Sequence, residues 1–287
     1  MMKKYIIVFF VLCISITSKA QMSKDLAGVD YSTIGKGSGS KGAGFEKYSF
    51  RITLPKRLKS SGDMLLNKIE YSKTNINYKS DPGLGGDVSN FYSVTYSLGY
   101  VHKLKNDWAL ISTLSPSVSS NFSSSINWED IRLFGMLMVS KQINPNKKLD
   151  FGVAYSTTLG RPFPMPMFNM MWKLNQKWTF NLGFPRMAVL YQLTKNTTLG
   201  TDLFMTRDNL TLCDDLYKGN RKIDNLQIMN LGGGIEVSQK LSKYLKLKLS
   251  SGYTFYRQFD FMNGGDTVKE YDLDNNLYIK AGISIGM

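Results

Sequence analysis

The sequence predicts an all-β fold: a transmembrane antiparallel up-and-down β-barrel of 12–14 strands, with 14 the count its weave supports. Three observations predict it. Residues 277–287 alternate without a break, Leu277, Ile279, Ala281, Ile283, Ile285 and Met287 against Tyr278, Lys280, Gly282, Ser284 and Gly286. The chain opens on a segment of secretory character. Its polar connections alternate between short and long, as they do in barrels with short periplasmic turns and longer outer loops. Past Ala20 no apolar run reaches the roughly 18 residues of a membrane helix, so any spanning form must be built from strands.

From the N-terminus, residues 1–20 read as an export signal. Lys3 and Lys4 give a basic start, Tyr5 to Ile14 an apolar run, and Ser18-Lys19-Ala20 small residues before a cut ahead of Gln21. Cys13 follows Phe10-Val11-Leu12, which lacks the small residue a lipidated cysteine needs beside it. The barrel is then expected over 21–287, with strands near 27–33, 46–54, 64–78, 90–103, 107–120, 128–142, 149–159, 164–173, 177–184, 187–193, 196–206, 225–238, 244–260 and 275–287. The first carries little alternation, and without it and with Pro185 as a mere bulge the count is twelve. Elsewhere the period of two is plain. Tyr92, Val94, Tyr96, Leu98 and Tyr100 oppose Ser93, Thr95, Ser97 and Gly99, and Leu149, Phe151, Val153 and Tyr155 oppose Asp150, Gly152, Ala154 and Ser156. Trp178, Phe180, Leu182 and Phe184 oppose Thr179, Asn181 and Gly183, and Leu245, Leu247 and Leu249 oppose Lys246, Lys248 and Ser250. Short turns fall at 105–107, 144–148, 175–177, 194–196 and 239–243, with a slightly longer one at 55–63. Long loops are expected at 35–44, 80–89, 122–127, 207–224 and 262–276. Trp108, Trp172, Trp178 and Tyr244 sit beside short turns, where amphipathic rings mark a membrane–water level. A β-sandwich explains the alternation but not the leader, the turn asymmetry and the terminal strand together.

The formal charge of +14 includes Lys3, Lys4 and Lys19 of the leader. The remaining basic residues cluster in the turns, and an exported chain without a nucleic-acid motif excludes DNA or RNA as an expected partner. Charge on a lipid face is costly, so charged strand positions should point inward. Alternation assigns Lys47, Arg51, Lys68, Glu70, Arg132, Asp150, Lys173, Asp202, Glu236, Lys246, Lys248 and Lys280 to the lumen. Two readings stay open: a polar conduit whose positive excess favours anions, or a wall braced by ion pairs. Inward Ser, Thr and Gly fill space poorly, which leans towards water in the lumen.

No catalytic, cofactor-binding or metal site is expected, and no enzyme. His102, the single histidine, falls near a short turn on the outward face, and no G-x-S-x-G nucleophile motif exists. Gly35 to Gly42 lacks the ending of a phosphate loop. Asp272 and Asp274, with Asp266 and Glu270, could ligate calcium but do not follow the twelve-residue spacing. Cys213, alone after cleavage, can form no internal disulfide.

The segments Phe50-Arg51-Ile52-Thr53-Leu54-Pro55 and Phe184-Pro185-Arg186-Met187-Ala188-Val189-Leu190-Tyr191 resemble a family of uncharacterised bacterial outer-membrane β-barrels. The resemblance implies the bacterial outer membrane and names neither substrate nor catalytic residue. The expected function is a passive or weakly selective channel for small solutes, anionic ones among them. The alternative is a structural or adhesive barrel whose outer loops bind a partner. Expected partners are outer-membrane lipids, the barrel-assembly machinery and small solutes.

Overall fold

The structure is a computed structural model that describes residues 25–37, 42–58, 62–84, 88–123, 125, 127–157, 163–271 and 273–286. The expected leader lies outside the described residues. The strands are β1 (Asp25–Ile34), β2 (Ala43–Arg57), β3 (Met64–Tyr78), β4 (Asn90–Lys103), β5 (Trp108–Ser120), β6 (Ile131–Asn144), β7 (Lys147–Ser156) and β8 (Phe163–Lys173). They continue as β9 (Trp178–Gly183), β10 (Arg186–Gln192), β11 (Thr197–Lys218), β12 (Arg221–Lys240), β13 (Leu245–Asn263), β14 (Asp266–Tyr271) and β15 (Leu277–Gly286).

Each strand from β1 to β13 pairs antiparallel with its neighbour in sequence, β13 pairs with β15, and β15 returns to β1. Fourteen strands thus close a ring, and β14 stands outside it on the upper end of β13. Closure gives each strand of the ring a partner on both sides, which suits a bilayer because hydrocarbon offers backbone N–H and C=O groups no partner. The weakly alternating β1 belongs to the ring, pairing Asp30 with Gly282 on one side and Ser49 on the other. The Phe184-Pro185 junction is the turn between β9 and β10 and not a bulge in a single strand.

The outer surface follows from the period of two. Val29, Phe50, Ile69, Val94, Leu137, Val153, Phe168, Leu203, Ile235, Leu249 and Ile283 are all exposed and lie on one face of their strands. In water that belt would be unstable, whereas in lipid it is the favourable surface. At the short-turn end, lysines cap aromatic rings: Lys141 on Trp108, Lys147 on Trp172, Lys177 on Tyr191 and Lys243 on Tyr244, at 4.7–5.9 Å from the ring centres. A ring of cations over aromatics suits a headgroup level.

The loop end departs from expectation. Residues 207–224 are not an irregular loop. β11 and β12 run on as one tall hairpin to Tyr217↔Lys222, with an irregularity between Thr211 and Leu216. Residues 262–276 likewise contain the β13–β14 hairpin, paired from Asn263↔Asp266 to Phe259↔Tyr271. The tall hairpins bend over the mouth. Thr211 of β11 forms a parallel bridge to Ser120 of β5, on the opposite wall. Beneath them lies an apolar cluster, with Phe45, Ile76, Phe91, Leu210, Ile223, Leu226, Phe259 and Phe261 buried against Leu84 and Val88 of the connection after β3. Among the described residues, β5 to β10 contribute nothing to that cluster.

Candidate functional site

The lumen is the candidate site. Register places Lys47, Arg51, Lys68, Glu70, Arg132, Asp150, Asp202, Glu236, Lys246, Lys248 and Lys280 on the face opposite the exposed apolar belt. Most have an opposite charge within reach. On the seam between β2, β1 and β15, Arg51 bonds Asp30, and Lys280 stands 3.8 Å from the same carboxylate. Gly28 and Gly282 form the floor here: a Cβ on Gly28 would lie 2.8 Å from the Arg51 guanidinium, and one on Gly282 would strike the Asp30 carboxylate. Next to that seam, across β10 to β13, Arg186 donates to Asp202 at 2.8 Å and also to Glu236, which Lys248 meets at 2.7 Å. Lys246 bonds Asp25 at 3.2 Å, Lys148 meets Asp150 at 2.9 Å, and Lys68 pairs with Glu70.

One pair crosses the barrel. Lys47 on β2 and Asp208 on β11 have four strands of the ring between them, β1, β15, β13 and β12, and meet at 2.6 Å. Phe204 of β11 packs against Tyr278 of β15, the tilted rings 4.7 Å apart between centres. Below the apolar roof a cavity of about 390 Å³ remains, lined by Asp30, Phe45, Lys47, Phe204, Asp208, Tyr278 and Lys280 among others. Lys246, Lys248 and Arg51 therefore belong to ion pairs and do not stand free in an open polar lumen.

Arg257 fastens the roof. Its guanidinium, on β13 above the ring, donates to the carbonyls of Gly35 at 3.1 Å, Asp274 at 2.8 Å and Ala43 at 2.8 Å, and lies over the Phe45 ring. The opposite side is held by Cys213, whose Sγ lies 2.9 Å from Ser120 Oγ and whose N–H donates to Asn121 Oδ1. Arg132 reaches Thr211 at 3.4 Å. Asp260, in the same extension, is buried near Glu270, and that burial pushes its carboxyl above the ordinary carboxylate range.

The other half of the lumen differs. On β4 and β5 the inner face is Ser93, Thr95, Ser97, Thr113, Ser115 and Ser117, with Ser115 donating to Ser97 at 2.8 Å. On β6 to β8 it carries Met136, Met138, Met165 and Met167.

Sequence reasoning missed Arg186, Asp25, Asp30, Asp208 and Lys148. Continuing the alternation of β10 back through Ala188 would have found Arg186. Asp208 was hidden in a span read as loop. His102 lies on the outward face, its Nδ1 2.9 Å from the buried Asp63 carboxylate, which also accepts from Tyr100 at 2.7 Å. Among the described residues no group of three or more His, Cys, Asp or Glu could hold a metal; Asp272 lies outside the described residues.

In fold the chain is similar to a COG4313 outer membrane channel from Pseudomonas putida F1, with a TM-score of 0.50 at 10% identity, over 93% of this chain and 100% of that one. Lesser likenesses are the NanC porin, at TM-score 0.41 and 12% identity over 91% and 100% of the two chains, and the toluene transporter TodX of P. putida, at 0.41 and 10% over 90% and 88%. No curated protein matches the sequence. The family described as a domain of unknown function, DUF6268, matches residues 40–286, and the chain belongs to it.

Proposed function

We propose that the protein is a passive, weakly selective channel for small solutes in a bacterial outer membrane, exported by the signal at residues 1–20. One observation carries the reading: a closed ring of fourteen strands whose apolar cap covers only one side, leaving a wall of hydroxyls on β4 and β5 facing the lumen. A ring of this size encloses more space than wall side chains fill. The fold likeness to an outer-membrane channel supports the same reading. Since the inward lysines and arginines are mostly paired, the conduit prefers anions only weakly. The tall hairpins turn their apolar faces onto the mouth, which argues against an adhesive role for them. Bilayer lipids and the assembly machinery are the partners this reading needs, and it assigns no catalysis.

Reconstitution into planar bilayers tests it. The expected result is discrete conductance steps with a small anion preference. Correctly folded protein that gives no steps at any salt concentration removes the proposal.

A further inference from the structure

We propose that the inner face of β6–β8 binds small uncharged apolar molecules and passes them between the lumen and the outer half of the bilayer through a gap in the barrel wall above the β9–β10 turn. The channel reading is used only for the existence of a lumen that ligands reach.

The gap follows from strand lengths. β9 has 6 residues and β10 has 7, whereas β8 has 11 and β11 has 22. At about 3.3 Å per residue and the usual tilt, seven residues rise roughly 18 Å, short of the roughly 25 Å apolar band of such barrels. β8 pairs with β9 only from Asn169 to Lys173, and β10 reaches β11 no higher than Arg186↔Phe204. Two backbone bonds, Phe184 N–H to the Phe168 carbonyl at 3.1 Å and Met205 N–H to the Pro185 carbonyl at 3.0 Å, mark its floor. Above that floor, among the described residues, no strand lies between β8 and β11.

The lining follows from register. Two rungs cross β6, β7 and β8: Met138–Gly152–Met167 and Met136–Ala154–Met165. In each, two long thioethers flank a residue with little or no side chain, making an apolar trough. Met165 and Met167 lie on the stretch of β8 that has no β9 partner, so the trough opens onto the gap. Ala154 is fully covered, whereas Met136, Met165 and Met167 remain half-buried. Simple wall packing accounts for the covered alanine but not for an apolar, charge-free patch left half-exposed to the lumen between the hydroxyl wall of β4 and β5 and the ion pairs of β10 to β13. Thioethers are polarisable and adapt their rotamers, which suits ligands of varied shape without hydrogen-bonding groups.

The test is photolabelling of the full chain in lipid vesicles with a small uncharged aryl diazirine, residues being mapped by mass spectrometry. The lipid-facing Leu137 and Phe168 serve as controls, since labelling by partition rises linearly with probe concentration. The expected result is label on the inward methionines that saturates. In Met165→Thr/Met167→Thr, label on Met136 and Met138 should fall about fivefold while Leu137 is unchanged. Absent or non-saturating label on the inward methionines, with Leu137 and Phe168 labelled, overturns the proposal. Ion conductance measured on the same vesicle preparation separates the two readings. Saturable label without conductance leaves this proposal standing and removes the channel for water-soluble solutes, and conductance without saturable label does the reverse.

Discussion

A charged side chain inside this barrel is stabilised by what its neighbours leave room for. Asp30 can accept from Arg51 because residue 282, its cross-strand partner, is glycine. In Gly282→Val the added side chain displaces the carboxylate, and both Arg51 and Lys280 lose it. Arg186 is the sharper case. It serves two carboxylates, Asp202 and Glu236, whose side chains are about one-tenth exposed. Its own guanidinium is partly solvated, so the full penalty of a buried unpaired charge does not apply. Arg186→Ala should cost about 1–3 kcal/mol in urea unfolding from vesicles, the range for removing a charged hydrogen-bond partner. The double variant with Glu236→Gln should recover part of that loss, and strictly additive losses would show the two groups to be uncoupled. At this scale most inward charges were legible, because burying charge in lipid costs far more than any local propensity and forces the parity of each strand. What was not legible is pairing. Asp30 and Lys280, and Lys47 and Asp208, are brought together by ring closure and by the bending of β11, and neither leaves a local signal in the sequence.

The strands of the belt could be read because one face meets lipid along about ten residues. The extensions above the belt could not, because neither face is lipid-exposed and polar residues are interspersed. Even so, Leu210 and Leu212 keep a period of two in the span read as loop, and Leu226 and Ile228 keep it at the start of the strand that follows. Those extensions form a roof with two fastenings, Arg257 on one side and Cys213 on the other. A roof so held predicts two opposite variants. Arg257→Ala leaves three backbone carbonyls without their donor, and should yield noisy excursions to larger conductance in planar bilayers. Ser120→Cys places a second thiol beside the native Cys213, where Sγ and Oγ are now 2.9 Å apart. Oxidation should then tie β11 to β5 across the mouth. In the combined variant, oxidant should suppress the large excursions and reductant restore them. Excursions that persist once the crosslink is verified by mass spectrometry would mean the roof does not govern the wide state.

For the whole molecule the governing quantity is wall height, which varies around the ring. The wall on β2 and β3, each of 15 residues, stands well clear of the hydrocarbon, while β9 and β10, at 6 and 7 residues, end inside it. A bilayer meets this mismatch by thinning beside the low wall, at a cost of fractions of a kcal/mol for each ångström. That cost is smaller in a membrane that is already thin. The protein should therefore insert more completely into vesicles of twelve- or fourteen-carbon lipids than into eighteen-carbon ones, read as the folded band on unheated gels. Lengthening the β9–β10 hairpin by two residues on each strand, which keeps the parity of both, adds roughly 5 Å to the low wall at the usual tilt. If the low wall sets the preference, this variant should insert into eighteen-carbon vesicles nearly as well as into fourteen-carbon ones. A thickness dependence that the lengthened hairpin leaves unchanged would place its origin in the belt as a whole, and equal insertion of the wild-type chain into both would show that the low wall is not felt by the lipid at all.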